Sequence, residues 1–119
     1  MTNVEAKQRR PSQERGPALR HVNLLTWKKG TTQADIDALA AELARMREEI
    51  PEIRTLSFGP DLGLMDGNVD FAILEDFDDA GAFGRYTAHP AHNRMVSEFL
   101  RPILASRQAI QFDVAASVS

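Results

Sequence analysis

The chain has 119 residues, 43% hydrophobic and 26% charged, with a formal net charge of −3 and no cysteine; this is the make-up of one globular domain able to bury roughly two-thirds of its unfolded surface. Without cysteine there are no disulfides, thiolate nucleophiles or Cys-ligated metal centres, and the acidic balance argues against a nucleic-acid partner. No apolar run approaches the ~18 residues of a membrane span and no apolar leader opens the chain, so no membrane is expected and the cytoplasm is the default compartment.

Residues 1–17 carry Lys7, Arg9, Arg10 and Arg15 against Glu5 and Glu14, with Pro11, Gly16 and Pro17 and almost nothing apolar. Too little burial is available there to offset the entropy of ordering. A disordered basic tail is expected, followed by one domain over 18–115 and a frayed end at 116–119. Leu19–Trp27 has the Val, Leu, Thr and Trp content of a strand. Alternation puts Arg20, Val22, Leu24 and Thr26 on one face and His21, Asn23, Leu25 and Trp27 on the other. Lys28-Lys29-Gly30 ends it, and Thr32 with Asp35 resembles a capping box. A helix to Ile50 follows, because Ile36, Leu39, Ala40, Leu43, Met46 and Ile50 share one stripe; Pro51 stops it.

Ile53–Phe58 predicts a second strand, Gly59-Pro60 and Asp66-Gly67-Asn68 bracket a loop, and Val69–Glu75 predicts a third strand. Asp78 is the expected cap of a short helix to about Ala88, which Pro90 breaks. A further helix is expected from Pro90 to Arg101, before Pro102. Gln108–Val114 is the last strand, alternating Ile110, Phe112 and Val114 against Ala109, Gln111 and Asp113. The order β-α-β-β-α-β, with the second helix split, predicts an α+β ferredoxin-like fold: a four-stranded antiparallel sheet with helices on one face. Both faces of the first strand carry apolar residues, so the uncovered face calls for a partner. A homodimer with its sheets face to face covers it, and the space between two such sheets can form a ligand cavity.

The most informative stretch is Tyr86-Thr87-Ala88-His89-Pro90-Ala91-His92. Pro90 is preorganised for the first helical position, which makes His89 the N-cap. His92 then lies in the first turn, where the positive helix end disfavours an imidazolium and leaves a neutral ring able to act as a general base. The break at Pro90 puts Tyr86 on a separate segment, from which its phenol can hydrogen-bond a carbonyl and stabilise a developing enolate. Structural readings stand beside these. His89 is a cap, His92 pins its helix, His21 is a satisfied buried histidine, and Tyr86 is a core residue with its hydroxyl at a wet edge. Asp76, Asp78 and Asp79 diverge on a strand-to-helix turn and read as solvated capping groups. The His89–His92 spacing has a proline within it and no third ligand adjacent, so no metal is expected. No phosphate loop or dinucleotide fingerprint occurs, and no cofactor is expected.

With Arg20-His21-Val22 in the first strand, Asp61-Leu62-Gly63 in the loop and Phe71 to Phe77 followed by acidic residues, this stretch resembles the stress-responsive dimeric α+β barrel (Dabb) family over about residues 19–114. The resemblance implies a homodimer whose paired sheets form a barrel, with a small aromatic or β-keto ligand in its cavity. In a plant polyketide cyclase of the family, the tyrosine and second histidine matching Tyr86 and His92 are carbonyl stabiliser and base, and His21 matches a cavity histidine. Another cavity histidine of that enzyme falls here at about Phe71, a departure that makes the pocket more apolar. The candidate site is therefore His92 and Tyr86 as catalytic residues, with His21, Asn23, Phe71 and His89 as ligand contacts. Three functions stand open: a cofactor-independent cyclase or lyase, a non-catalytic structural or ligand-carrying stress-response dimer, and, on fold analogy alone, a cofactor-free monooxygenase.

Overall fold

A computed structural model describes residues 18–114; the expected tail over 1–17 and the end from 115 onward lie outside the described residues. The elements follow the expected order: β1 (Ala18–Trp27), α1 (Gln33–Glu49), β2 (Thr55–Pro60), β3 (Phe71–Phe77), α2 (Ala80–Ala88), α3 (Pro90–Arg94) and β4 (Leu104–Val114). The sheet is antiparallel throughout, in the order β2-β3-β1-β4. Among the described residues no helix is long and apolar enough to cross a membrane.

Local chemistry sets most boundaries. Thr32 Oγ1 accepts from the Asp35 backbone N–H at 3.1 Å, and Asp35 Oδ2 accepts from the Thr32 N–H at 3.0 Å, so the box at the start of α1 is reciprocal with Asp in the acidic position. Ile50 is extended, as the residue before Pro51 must be. Ile53 N then bonds Ile50 O in a turn, which delays β2 to Thr55. Asp70 stays outside β3: its N–H donates to Leu25 O and its Oδ2 accepts from Trp27 N–H, clamping the end of β1. Asp79, not Asp78, caps α2, with Oδ1 accepting from Ala82 N–H at 2.9 Å; Asp78 lies 3.5 Å from Arg54 Nη1.

The helix expected over 90–101 is α-helical for five residues only. It widens into a π-helical stretch over Met95–Leu100 and tightens to a 3₁₀ turn over Arg101–Ile103, where Pro102 lacks the N–H that a continuing ladder needs. β4 starts at Leu104, earlier than its own composition suggests, and so brings Arg107 into the sheet.

Register lays out the helix-facing side of the sheet in rows. Leu56, Glu75, His21 and Gln111 form one row, Phe58, Ile73, Asn23 and Ala109 the next, and Pro60, Phe71, Leu25 and Arg107 a third. Leu25, Ile73 and Phe77 on this side pack with Leu39, Leu43 and Met46 of α1 and with Tyr86 and Met95. Each such side chain contributes about 1.5–3 kcal/mol on burial. The other side carries Val22, Leu24, Leu74, Ile110 and Phe112, with Ile110 57% and Phe112 43% exposed. An ion pair crosses that side: Arg20 Nε and Nη2 donate to Asp76 Oδ1 and Oδ2 at 2.8 and 3.0 Å.

Candidate functional site

Glu75, His21 and Gln111 make a polar row on the helix-facing side, with Asn23 and Arg107 in the next two rows, and the helical layer above them leaves a cavity of about 320 Å³. That volume is at the lower end for small-molecule sites. The cavity lies between the sheet and the helices of one chain. The reason is the strand period: His21 and Asn23 share the side of β1 that α1–α3 cover. The sheet contributes His21, Asn23, Glu75 and Arg107, and the helices contribute Tyr86 and His92.

His89 makes the hinge that aims the two helical residues. Its N–H donates to Tyr86 O at 3.1 Å to close α2, and its Nδ1 accepts from Ala91 N–H at 3.0 Å to open α3. It therefore acts as the expected cap and does not line the cavity. The resulting bend sets the Tyr86 and His92 rings 4.5 Å apart between centroids. His92 Nδ1 is buried and has no hydrogen-bond partner among the described residues. Burial is the largest cause that pulls the His92 pKa down; the Asn93 side chain and Thr87 backbone pull the other way, and the Arg107 cation adds to the lowering.

Tyr86 is 2% exposed, and its hydroxyl donates to Glu75 Oε1 at 3.0 Å. Glu75 is 1% exposed, and its Oε2 has no partner among the described residues. Burial pushes the Glu75 carboxyl up to about 7 against the opposing bond from Tyr86. Burial and the neighbouring Glu75 charge together raise the Tyr86 phenol well above its usual range.

His21 sits in a chain of contacts along the sheet. Arg107 Nε donates to Asn23 Oδ1 at 2.6 Å, Asn23 Nδ2 lies 2.9 Å from His21 Nε2, and Gln111 lies 2.8 Å from His21 Nδ1. Arg107 orients the Asn23 amide, so Asn23 donates to Nε2. A neutral ring then carries its proton on Nδ1 and donates to the Gln111 amide, turned to present its oxygen. Burial first, then the Arg107 charge, lowers the His21 pKa to about 4.

The structure thus brings His92, Tyr86, His21 and Asn23 into one cavity and leaves Phe71 and His89 outside it. Phe71 packs tilted against Trp27 at 5.4 Å and stacks with Phe58 at 6.2 Å, and it lines a groove beneath the β2–β3 loop instead. Sequence reasoning missed Glu75, Arg107 and Gln111. For Glu75 a signal existed: it falls between Ile73 and Phe77 on the apolar side of a period-2 strand, where a carboxylate has to be buried. For Arg107 none existed, because the strand containing it begins with Leu104-Ala105-Ser106. Among the described residues no three His, Asp or Glu side chains converge as a metal site. What the cavity offers is a neutral imidazole, a phenol, a carboxyl near neutrality and a guanidinium, a set suited to moving protons around a polar organic molecule.

The family described as the stress responsive A/B barrel domain matches residues 19–114. No curated protein matches the chain. Among solved structures, a dimeric ferredoxin-like protein of unknown function from Thermobifida fusca is 36% identical, with 82% of this chain and 91% of that one covered and a TM-score of 0.76. A hydroxynitrile lyase from Passiflora edulis shares the fold at 19% identity, covering 86% and 97% with a TM-score of 0.75. A Dabb family protein with a ferredoxin-like fold from Mesorhizobium loti does so at 18% identity, covering 81% and 95% with a TM-score of 0.68. The match over nearly the whole described domain, on a sheet and hinge that place Tyr86 and His92 together, makes this chain a member of the stress responsive A/B barrel domain family.

Proposed function

We infer that the protein is a homodimer that holds a small aromatic or β-keto carbonyl compound in this cavity and acts on it without a cofactor, as a lyase or cyclase, with His92 as general base and Tyr86 as hydrogen-bond donor to the carbonyl. The observation that carries this reading is the buried, unpartnered Nδ1 of His92 beside the Tyr86 ring in a cavity of ligand size. A buried polar atom left unpaired costs about 1–3 kcal/mol, which a bound ligand can recover. The neutral imidazole takes the proton from the carbon next to the carbonyl, and the electron pair becomes an enolate. Tyr86 then donates to the enolate oxygen. For this the Glu75–Tyr86 bond must reverse: protonated Glu75 donates to Tyr86 Oη, and the phenol hydrogen turns to the ligand. In the cyclase direction the enolate carbon adds to a second carbonyl of the same molecule, and His92 returns its proton to the alkoxide that forms; in the lyase direction the same steps run in reverse, with His92 taking the proton of the hydroxyl while the carbon–carbon bond breaks to expel the enolate. The homodimer is supported by the exposed Leu24, Ile110 and Phe112 and by relatives described as dimeric.

Deuterium uptake at C2 of methyl benzoylacetate, followed by NMR above the buffer rate, tests the reading. The expected result is catalysed uptake that falls at least tenfold in His92→Ala and in Tyr86→Phe while both variants stay folded. Wild-type rates in both variants would remove the mechanism. One observation favours a non-catalytic dimer instead: the Tyr86 hydroxyl is fully buried and already held by Glu75. That reading expects no uptake with any variant and a clear drop in Tm for His92→Ala.

A further inference from the structure

Three charged side chains line the cavity: Glu75, buried in the β3 wall, and Arg101 and Arg107, both solvent-exposed, from the 3₁₀ turn and β4. Among the described residues Glu75 is the only acid in the lining, and the histidines there, His21 and His92, are held neutral. A chain whose overall charge is −3 therefore encloses a positive cavity. Arg107 is directed at it. Nε is tied to Asn23 Oδ1, and the guanidinium stands close enough to add to the lowering of the His21 and His92 pKa values and to oppose the rise at Tyr86. Among the described residues neither Arg107 nor Arg101 has an ion-pair partner, whereas Arg20, Arg45, Arg85 and Arg94 each pair with an acid. With Nε held, the Nη groups of Arg107 remain as a planar pair of donors, the geometry that grips a carboxylate. Apart from Thr87, the rest of the lining is apolar, with Ile73, Met95, Val96 and Leu100 facing the same space.

We propose that the cavity selects a small organic anion, a keto acid whose carboxylate is anchored by the Arg107 guanidinium while its apolar body lies along Ile73, Met95, Val96 and Leu100. The anchor stands independently; the placement of the keto group at Tyr86 and His92 rests on the function inferred above. Arg107 is then a specificity-determining residue that separates acids from their neutral esters, and Arg101 supplies a weaker, longer-range attraction at the entrance.

The test is calorimetric titration of the full-length protein at pH 7 and low salt with 3-benzoylpropionate and with its methyl ester, which share the benzoylpropionyl unit and differ in the charge of the carboxyl end. The acid is expected to bind the wild type at least tenfold more tightly than the ester. Arg107→Gln should erase that margin, leave the ester within twofold and keep the wild-type Tm; Arg101→Gln should lose only part of it. Equal binding of acid and ester, retention of the margin in Arg107→Gln, or no binding of either compound overturns the proposal. The two readings fail separately. Acid selectivity that depends on Arg107, without His92-dependent deuterium uptake, keeps the anion site and ends the lyase mechanism. Uptake without acid selectivity does the reverse.

Discussion

Position 75 lies between Ile73 and Phe77 on the buried side of β3, where an apolar side chain would meet no desolvation penalty. The carboxyl there binds its proton up to about 7, against 4.5 for the free group. The folded state thus holds a proton that the unfolded chain releases. Stability falls as pH rises from about 4.5 towards 7, and above 7 the loss is complete. Glu75→Gln keeps a polar partner for Tyr86 and removes the titration. Scanning calorimetry should show the variant no more stable than wild type at pH 5 and more stable at pH 8; an equal difference at both pH values would mean that the buried charge plays no part. His21 has the opposite sign. Its pKa falls from 6.5 to about 4, so the stability it confers is present above about 6.5 and is lost as pH falls towards 4. In a histidine NMR titration its ring signals should stay those of the neutral form at pH 5.5. A shift centred near 6.5 would contradict the burial and the Arg107 influence described here.

At the scale of elements, the caps decide where helices begin and hence where side chains point. The Thr32–Asp35 box satisfies two N–H groups that α1 would otherwise leave open. Thr32→Ala should cost about 1 kcal/mol in denaturant unfolding with an unchanged m-value, since the site lies at an exposed helix start. His89 has a different consequence. It closes α2 and opens α3 through one backbone and one side-chain bond, and the angle between those helices sets the Tyr86–His92 distance. Its part in the candidate site is positional, through the hinge, although the residue itself touches no cavity wall.

For the whole molecule, one side of the sheet is covered and the other presents Leu24, Ile110 and Phe112 with no element among the described residues over them. The inferred homodimer buries that side. Ile110→Asp with Phe112→Asp should therefore bring the solution mass from twice 13.2 kDa to 13.2 kDa by light scattering, with the helix-side cavity still binding ligand. A variant of undiminished mass would place the interface elsewhere.

Strand and helix order, the capping box, the proline stops and the Tyr86–His89–His92 hinge were all legible in the chain, because each rests on residues within one turn or one strand of each other. So was the side of β1 that carries His21 and Asn23, since a period of two settles it once the strand is granted. The boundaries that moved did so for non-local reasons. β3 began at Phe71 because Asp70 was drawn to the backbone of β1, and β4 reached back to Leu104 because β1 offered it a ladder to pair with. The site divides in the same way. Histidine and tyrosine announce themselves by type and spacing. Glu75 acquires its role only from a hydroxyl eleven positions away, and Arg107 from an amide 84 positions away. Desolvation and register, which decide whether a carboxyl keeps its proton and where a guanidinium points, exist only once the sheet and helices have closed on each other.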